Sequence, residues 1–210
     1  MELDPEVGVV ILTGSGDQAF IAGAEMTGFQ TLSPLAAVRR ARQGQALTDK
    51  IERCAKPVIA AVNGLAFGAG FEVCLACDLV LAVSEARFSL PETRLGFIPH
   101  WGATQRLTRL VGPRVARELI LTGDVIDAAR ALELGLVNAL HPADALMAEA
   151  RELAGRILRG GRVAVQQARL CIDMATEAPL ERGLAFEANA LALCFSTDEP
   201  RRGLEDFLKE

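Results

Sequence analysis

The sequence has 210 residues, of which 50% are hydrophobic and 23% are charged. These values are ordinary for a packed globular protein with one large domain or two small ones. The net charge of −5 disfavours a nucleic-acid surface, and Arg39, Arg40 and Arg42 are too few to form a basic face. No apolar run approaches the roughly 18 residues that span a bilayer. We therefore expect neither a nucleic-acid partner nor a membrane partner.

The cysteines predict the compartment in which the protein works. They lie scattered in apolar stretches, at Cys54, Cys74, Cys77, Cys171 and Cys194. An odd number of such thiols is typical of reduced, buried cysteines. Cys74 and Cys77 have the spacing of a redox or zinc motif, but the possible further ligands, His100 and His141, are far apart in sequence. Because the N-terminus also lacks signal-peptide features, we expect a cytoplasmic protein without a bound metal.

The first half of the chain alternates apolar strands with helices. Continuous apolar runs predict strands at Val7–Leu12, Val58–Val62, Asp78–Val83 and Ala86–Ser89. Ser33 and Pro34 predict the start of a helix that ends near Arg53. A shorter apolar helix is predicted from Gly68 through Cys77. This alternation predicts an α/β domain with crossover connections.

Helical patterns dominate after Pro99. The predicted elements are helices at Thr104–Val111, Pro113–Leu121 and Asp127–Leu134, closed by Gly135, and a strand at Val137–Leu140. Helices then fill most of residues 143–208, with breaks near Gly160, Pro179 and Ser196. We therefore predict an α/β core over residues 1–140 and a helical C-terminal region over residues 141–210.

Two glycine-rich segments are candidates for binding a ligand through the backbone. Residues 22–25 are small and follow a strand exit, although a tight loop packed on the core would have the same composition. The second segment, Gly68-Ala69-Gly70, runs into a helix N-terminus, where free N–H groups favour an anion. A phosphate or a developing oxyanion would both suit it.

Three ionisable side chains lie near these segments. Glu72 has apolar neighbours, so its carboxylate must be paired, hydrogen-bonded or functional, or it stabilises the first turn of its own helix. Glu92 follows a proline at a turn, and by itself this is typical of a solvated or capping glutamate. His100 lies in a loop that lines a pocket or forms local hydrogen bonds. Spacing in sequence does not show whether the two carboxylates meet.

Taken together, these segments resemble the enoyl-CoA hydratase/isomerase (crotonase) superfamily. The resemblance is carried by a series of motifs in order along nearly the whole chain, namely residues 9–14, 20–25, 56–64, 77–78, 91–92, 96–99, 104–107, 121–123 and 131–137. Each motif is modest, but the series is highly specific. It implies the crotonase-type (ClpP/crotonase) fold, a spiral of ββα units with a helical C-terminal trimerisation region, in homotrimers or hexamers. Residues 1–140 then form a spiral core that is N-terminally truncated relative to the family.

The resemblance implies a CoA thioester substrate and no cofactor, since CoA is part of the substrate. The backbone N–H groups of Ala24 and Ala69 are implied as the oxyanion hole, with Glu72 and Glu92 as the catalytic acid–base pair. The implied substrate- and CoA-binding residues are Ala22, Ala24, Glu25, Met26, Gly68, Ala69, Gly70 and His100. Because both glutamates are present, the implied reaction is hydration of trans-2-enoyl-CoA to 3-hydroxyacyl-CoA, as in fatty acid β-oxidation.

The sequence departs from the family pattern at several points. It begins where relatives have already run for about 40 residues, one βαβ-sized unit. Glu25 stands where aspartate is commoner, and Thr27 where a lysine often contacts CoA. Two alternatives therefore stay open, a Δ3,Δ2-enoyl-CoA isomerase that relies on the second glutamate and a non-catalytic oligomeric binding subunit.

Overall fold

The computed structural model describes residues 4–209, so the outermost residues of the two predicted regions, 1–3 and 210, lie outside it. By their internal contacts the residues group into two compact units. One unit comprises residues 11–54 and 58–151, and the other comprises the described residues 4–10, 55–57 and 152–209.

Three successive ββα repeats form most of the compact unit that comprises residues 11–54 and 58–151. They are β1 (Val10–Thr13), β2 (Ala19–Ile21) and α1 (Pro34–Glu52); β3 (Val58–Val62), β4 (Leu65–Phe67) and α2 (Ala69–Cys74); β5 (Leu79–Val83), β6 (Arg87–Ser89) and α3 (Ala103–Thr122). The elements that follow are β7 (Ile126–Asp127), α4 (Ala128–Glu133) and β8 (Ala139–His141). A 3-10 helix, Pro91–Leu95, connects β6 to α3.

The two strands of each unit enter two different four-stranded sheets. One sheet has the order β1-β3-β5-β8, and the other has the order β2-β4-β6-β7. The pairs β3–β5, β5–β8, β2–β4 and β4–β6 are parallel, whereas β6–β7 is antiparallel. Strand β3 is buried along its whole length, as its continuous apolar sequence predicts. The repeated pairing produces a spiral of ββα units.

Several predicted boundaries agree with the structure. Helix α1 begins at Pro34, and the Ser33 side chain caps it by accepting the Ala36 N–H at 3.3 Å. The two helices predicted on either side of position 112 are the two halves of α3, which breaks at Gly112 with φ of 76°. The break follows from Pro113, which has no N–H to continue the helical ladder.

Other boundaries differ from the predictions. Strand β1 begins at Val10 rather than Val7, because the Val7 N–H donates to the Asp4 carbonyl in a turn. Helix α2 ends at Cys74, three residues early, and β8 lies one or two residues later than predicted. Strands β2, β4 and β7 were not predicted, since segments of two or three residues carry no detectable periodicity.

The second unit contains the C-terminal helices. Three of them lie wholly within it, at Arg162–Glu177 (α6), Leu180–Cys194 (α7) and Glu199–Phe207 (α8), and the end of α5 (Leu146–Leu158) also belongs to it. Helices α6 and α7 pack against each other. The Glu199 carboxylate caps α6 by accepting the N–H groups of Arg162 and Val163, each at 3.0 Å. No helix within residues 4–209 is long and apolar enough to cross a membrane.

Candidate active site

Glu72 lies on α2 with only 1% of its surface exposed. Its Oε1 atom accepts two backbone hydrogen bonds, from the Trp101 N–H at 2.8 Å and from the Ala103 N–H at 3.0 Å. Gly102 lies between these two donors with φ of 122°, a conformation that permits both N–H groups to face the same oxygen. The second oxygen, Oε2, is buried and has no hydrogen-bond partner among the described residues. One carboxylate oxygen is thus held in place while the other is free to react.

Glu92 lies on the 3-10 helix before α3 and is 6% exposed. A neighbouring hydroxyl fixes this helix, since Thr93 Oγ1 donates to the Ile120 carbonyl at 2.7 Å. A Cβ atom at Gly68 would lie 2.8 Å from Glu92 Oε1, so this carboxylate sits against the start of the helix that carries Glu72. Among residues 4–209, Glu92 Oε2 has no hydrogen-bond partner. The fold therefore brings the two predicted glutamates to the same place.

Burial raises the pKa of both glutamates. For Glu72 the effect of burial exceeds the opposing effect of the two backbone N–H donors. For Glu92, burial together with a smaller contribution from the negative charge of Glu72 raises the pKa to about 7. Such a pair is suited to giving and taking protons at physiological pH.

The loop that holds Glu72 is itself anchored to α1. The Trp101 carbonyl accepts hydrogen bonds from Thr48 Oγ1 at 2.6 Å and from Arg106 Nη1 at 3.0 Å. Arg106 also forms ion pairs with Glu52 at 2.6 Å and Asp49 at 2.8 Å. These contacts fix the backbone that presents the two N–H donors to Glu72. The sequence analysis did not identify this role of Arg106. A signal was present, because Arg106 lies three positions after the buried Ala103 and therefore on the same face of the helix.

Gly44 leaves room for the indole of Trp101, and we predict that Gly44→Ala destabilises the fold. The added Cβ would lie 2.0 Å from the indole Cδ1 and Nε1, so the ring must shift. Overpacking of this kind costs about 1–3 kcal/mol. Urea unfolding measures the effect, with Gly155→Ala as the control, because a Cβ there meets nothing within 4 Å and should stabilise helix α5 by about 0.4–1 kcal/mol. Equal stability of the two variants would contradict the prediction.

The loop over residues 22–25 runs beside the start of α2. A Cβ at Gly70 would lie 2.0 Å from the carbonyl oxygen of Ile21, so only glycine permits this approach of α2 to the end of β2. The nearest atom to a Cβ at Gly23 would be the Phe67 carbonyl, at 3.9 Å. The loop that contains Ala24 is thereby placed next to the segment that contains Ala69. The structure brings the two predicted backbone donors into the same region.

A cleft of about 680 Å³ opens beside this region. It is lined mostly by apolar side chains of residues 26–41 and 95–98, together with Gln30, Arg40 and His100. Of the predicted site residues, Met26 and His100 line the cleft. The His100 ring packs with Phe29 and Phe97, at centroid distances of 6.1 and 6.0 Å. Because His100 adjoins Trp101, the cleft begins next to the backbone that holds Glu72.

The cysteine pair on and after α2 is poorly suited to thiolate chemistry. Burial raises the pKa of Cys74 well above its ordinary value and the pKa of Cys77 to about 12. No disulfide joins any of the five cysteines, all of which lie within the described residues. Within residues 4–209, no group of three or more histidine, cysteine or acidic side chains is arranged to hold a metal ion.

Known proteins resemble this chain in sequence and in fold. The enoyl-CoA hydratase/isomerase family model matches residues 1–210. A crotonyl-CoA hydratase of Syntrophomonas wolfei is 42% identical over 207 residues, which cover 99% of this chain and 80% of that protein. A short-chain-enoyl-CoA hydratase of Clostridium acetobutylicum is 39% identical over 210 residues, covering 100% and 80%. The crystal structure of an enoyl-CoA hydratase from Bacillus anthracis matches with a TM-score of 0.94 at 37% identity, covering 99% and 81%.

The described fold is a spiral of ββα units in which two buried carboxyls, Glu72 and Glu92, lie in one region. The chain belongs to the enoyl-CoA hydratase/isomerase family. The crotonase-type fold predicted from the sequence motifs is thereby confirmed.

Proposed function

We propose that this protein is an enoyl-CoA hydratase, a hydro-lyase that adds water reversibly to trans-2-enoyl-CoA and gives 3-hydroxyacyl-CoA. The observation that carries the proposal is the pair of buried carboxyls, Glu72 and Glu92, each with one oxygen that has no partner among the described residues. The two relatives described above are named as hydratases of enoyl-CoA thioesters, which bears out the predicted activity. The substrate is accordingly an acyl-CoA thioester, and CoA enters as part of it.

In the proposed mechanism, two backbone N–H groups bind the thioester oxygen. Family membership points to the N–H groups of Ala24 and Ala69, and their segments lie side by side at the end of β2 and the start of α2. Attack at the β-carbon pushes electrons onto the thioester oxygen, and the resulting enolate is stabilised by these fixed donors. Loss of one such donor typically lowers the rate about 100- to 1,000-fold.

The two glutamates exchange protons with water and with the α-carbon. Glu72 Oε2 takes a proton from the attacking water, whose oxygen bonds to the β-carbon. Glu92, which retains a proton near neutral pH because burial raises its pKa to about 7, gives that proton to the α-carbon as the enolate collapses. The proton held by Glu72 then returns to Glu92, so one water is added and the enzyme is unchanged. We propose that both carboxyls act on one face of the double bond, which makes the addition syn.

We assign the acyl chain to the cleft of about 680 Å³ beside this pair. Its apolar lining suits methylene groups, and Met26 and His100 are the predicted substrate contacts within it. Ala22, Glu25, Gly68 and Gly70 complete the proposed binding region through their backbone. Thr27 donates from both its N–H and its hydroxyl to the Glu25 carboxylate, and these hydrogen bonds lower the pKa of Glu25. Both donors of Thr27 are therefore engaged within the protein.

We further propose that the chain works as a homotrimer or a hexamer in the cytoplasm. The C-terminal helices, within the region predicted over residues 141–210, expose large apolar side chains, among them Leu180, Leu184, Leu191, Phe195, Leu204 and Phe207. So many exposed apolar groups on one set of helices are typical of a surface that contacts another subunit. Sedimentation analysis of the purified chain distinguishes these assemblies from a monomer.

The first test of the proposed function is hydration of crotonyl-CoA, followed by loss of the absorbance of the 2-enoyl thioester. We expect turnover by the wild-type chain, because both glutamates are buried in one region and the segments of both proposed N–H donors lie side by side there. A folded chain that binds crotonyl-CoA without hydrating it would instead support the alternative of a non-catalytic binding subunit.

A further inference from the structure

The cleft beside the glutamate pair contains one guanidinium among mostly apolar side chains. Arg40, on α1, lines the cleft together with Phe29, Val38, Leu95 and Ile98. We propose that Arg40 makes this enzyme selective for enoyl-CoA substrates whose acyl chain ends in a carboxylate. The inference rests on the proposed function, and it names the class of acyl group that the site prefers.

The contacts of Arg40 leave part of its guanidinium without an acceptor. Its Nη2 donates to the backbone carbonyl of Glu25, and its Cζ lies 4.5 Å from the centroid of the Phe29 ring. Its Nε is buried and has no hydrogen-bond partner among residues 4–209. The carboxylate of Glu25 accepts hydrogen bonds from Thr27, and the nearby charge of Arg40 makes a smaller contribution to its lowered pKa. The guanidinium thus places a positive charge at the wall of a mostly apolar cleft.

The chemistry of the guanidinium indicates which ligand atom this is. Arginine presents its donors in a planar fork that matches the two oxygens of a carboxylate. An alkyl terminus would fill the cleft and exclude water from Arg40 without offering it an anionic partner. A carboxylate terminus would pair with its positive charge. The apolar side chains around it would pack against the methylene groups between the two ends of the acyl chain.

The position of Arg40 also favours a role in substrate choice. Its Nη2 contacts the residue next to Ala24, one of the proposed thioester-binding donors, and its cleft begins at Met26 and His100. An acyl chain whose thioester lies at Ala24 and whose tail enters the cleft therefore passes Arg40. Arg42, two residues further along α1 and therefore on a different face of the helix, is exposed and pairs with Gln45 instead, at 3.4 Å.

The test compares substrates of equal length that differ only at the far end. We would measure kcat/KM for trans-2-hexenoyl-CoA against trans-2-hexenedioyl-CoA, and for trans-2-octenoyl-CoA against trans-2-octenedioyl-CoA. A hydrogen bond to a charged group corresponds to about a 10- to 100-fold preference, so we expect the dicarboxylic substrate of at least one pair to be favoured by that factor. Arg40→Met should abolish the preference chiefly by raising KM for the dicarboxylic substrate. Arg40→Lys should retain part of it, and Arg42→Met should leave it unchanged.

Two results would overturn the inference. One is a wild-type enzyme that hydrates both members of each pair equally well or prefers the alkyl terminus. The other is an Arg40→Met variant that loses the same factor on both members, which would make Arg40 only a support for the Glu25 backbone. Crotonyl-CoA separates this failure from failure of the proposed function. If the wild-type chain hydrates crotonyl-CoA but does not prefer dicarboxylic substrates, only the inference about Arg40 is contradicted.

Discussion

Replacing Glu72 by glutamine is expected to lower kcat for hydration of crotonyl-CoA by about 100- to 10,000-fold, the usual contribution of a general acid–base group. Glutamine has the same shape, and its oxygen can still accept the N–H groups of Trp101 and Ala103 that now hold Oε1. Its amide nitrogen then replaces Oε2, the oxygen without a partner among the described residues, and cannot take a proton from water. The fold should persist while the reaction stops, as steady-state kinetics and circular dichroism would show.

The same variant separates the hydratase from the isomerase. A Δ3,Δ2-enoyl-CoA isomerase that relies on Glu92 alone would keep most of its activity in Glu72→Gln, measured as conversion of trans-3-hexenoyl-CoA to the 2-enoyl thioester. Glu118→Gln is the matched control, since Glu118 is exposed on α3 and should tolerate the change. Retention of hydratase activity in Glu72→Gln would contradict the proposed role of Glu72 as the base.

Local sequence signals predicted much of the fold. The Ser33–Pro34 pair placed the start of α1, and the apolar run Val58–Val62 coincides with β3, because capping and burial of a continuous strand depend on neighbouring residues. Strand β4 has three residues between two turns and gives no such signal. Its place in the second sheet depends on parallel pairing with β2 and β6, which is a property of the tertiary fold.

The site was predictable only in part. The residues alone favoured a solvated Glu92, and only the resemblance to the family made it a catalytic candidate, whereas the structure buries it. The hydrogen bonds that hold Glu72 come from backbone N–H groups 29 and 31 residues further along the chain. Every residue type except proline has such a group, so the pattern of side chains does not predict these bonds. From the sequence, Arg40 was counted only with Arg39 and Arg42, as a group too small to form a basic face. Its contact with Glu25, 15 residues earlier, turns it into the cleft.

Replacing Glu92 by glutamine is expected to lower kcat about 100- to 10,000-fold and, at the same time, to stabilise the fold at alkaline pH. An amide cannot deliver a proton to the α-carbon, so hydration fails. The gain in stability follows from the pKa of Glu92, which burial raises from an ordinary 4.5 to about 7. A raised pKa means that the folded protein binds this proton more tightly than the unfolded chain. The carboxyl is therefore tolerated at low pH, and its burial costs free energy as the pH rises through 7.

The size of this effect follows from the shift itself. A difference of about 2.5 pKa units corresponds to at most about 3 kcal/mol, and the cost is complete above pH 7. Glutamine carries no charge at any pH, so Glu92→Gln should raise the free energy of unfolding by about 1–3 kcal/mol at pH 8. At pH 5 the gain should fall below about 1 kcal/mol, because the wild-type carboxyl is then protonated in the folded state. Urea unfolding at the two pH values, at one protein concentration, measures the difference.

A variant that loses both activity and stability at pH 8 would contradict this account, because it would mean that the Glu92 carboxylate is paired in the folded protein. Asp124→Asn is a suitable control, since Asp124 is exposed and pairs with Arg94 at the surface, where loss of the pair changes stability little. If Glu92→Gln is inactive and more stable, then the same buried, unpartnered oxygen that makes Glu92 a proton donor also lowers the stability of the fold. Catalysis at this site would then depend on keeping a carboxyl where folding alone would favour an amide.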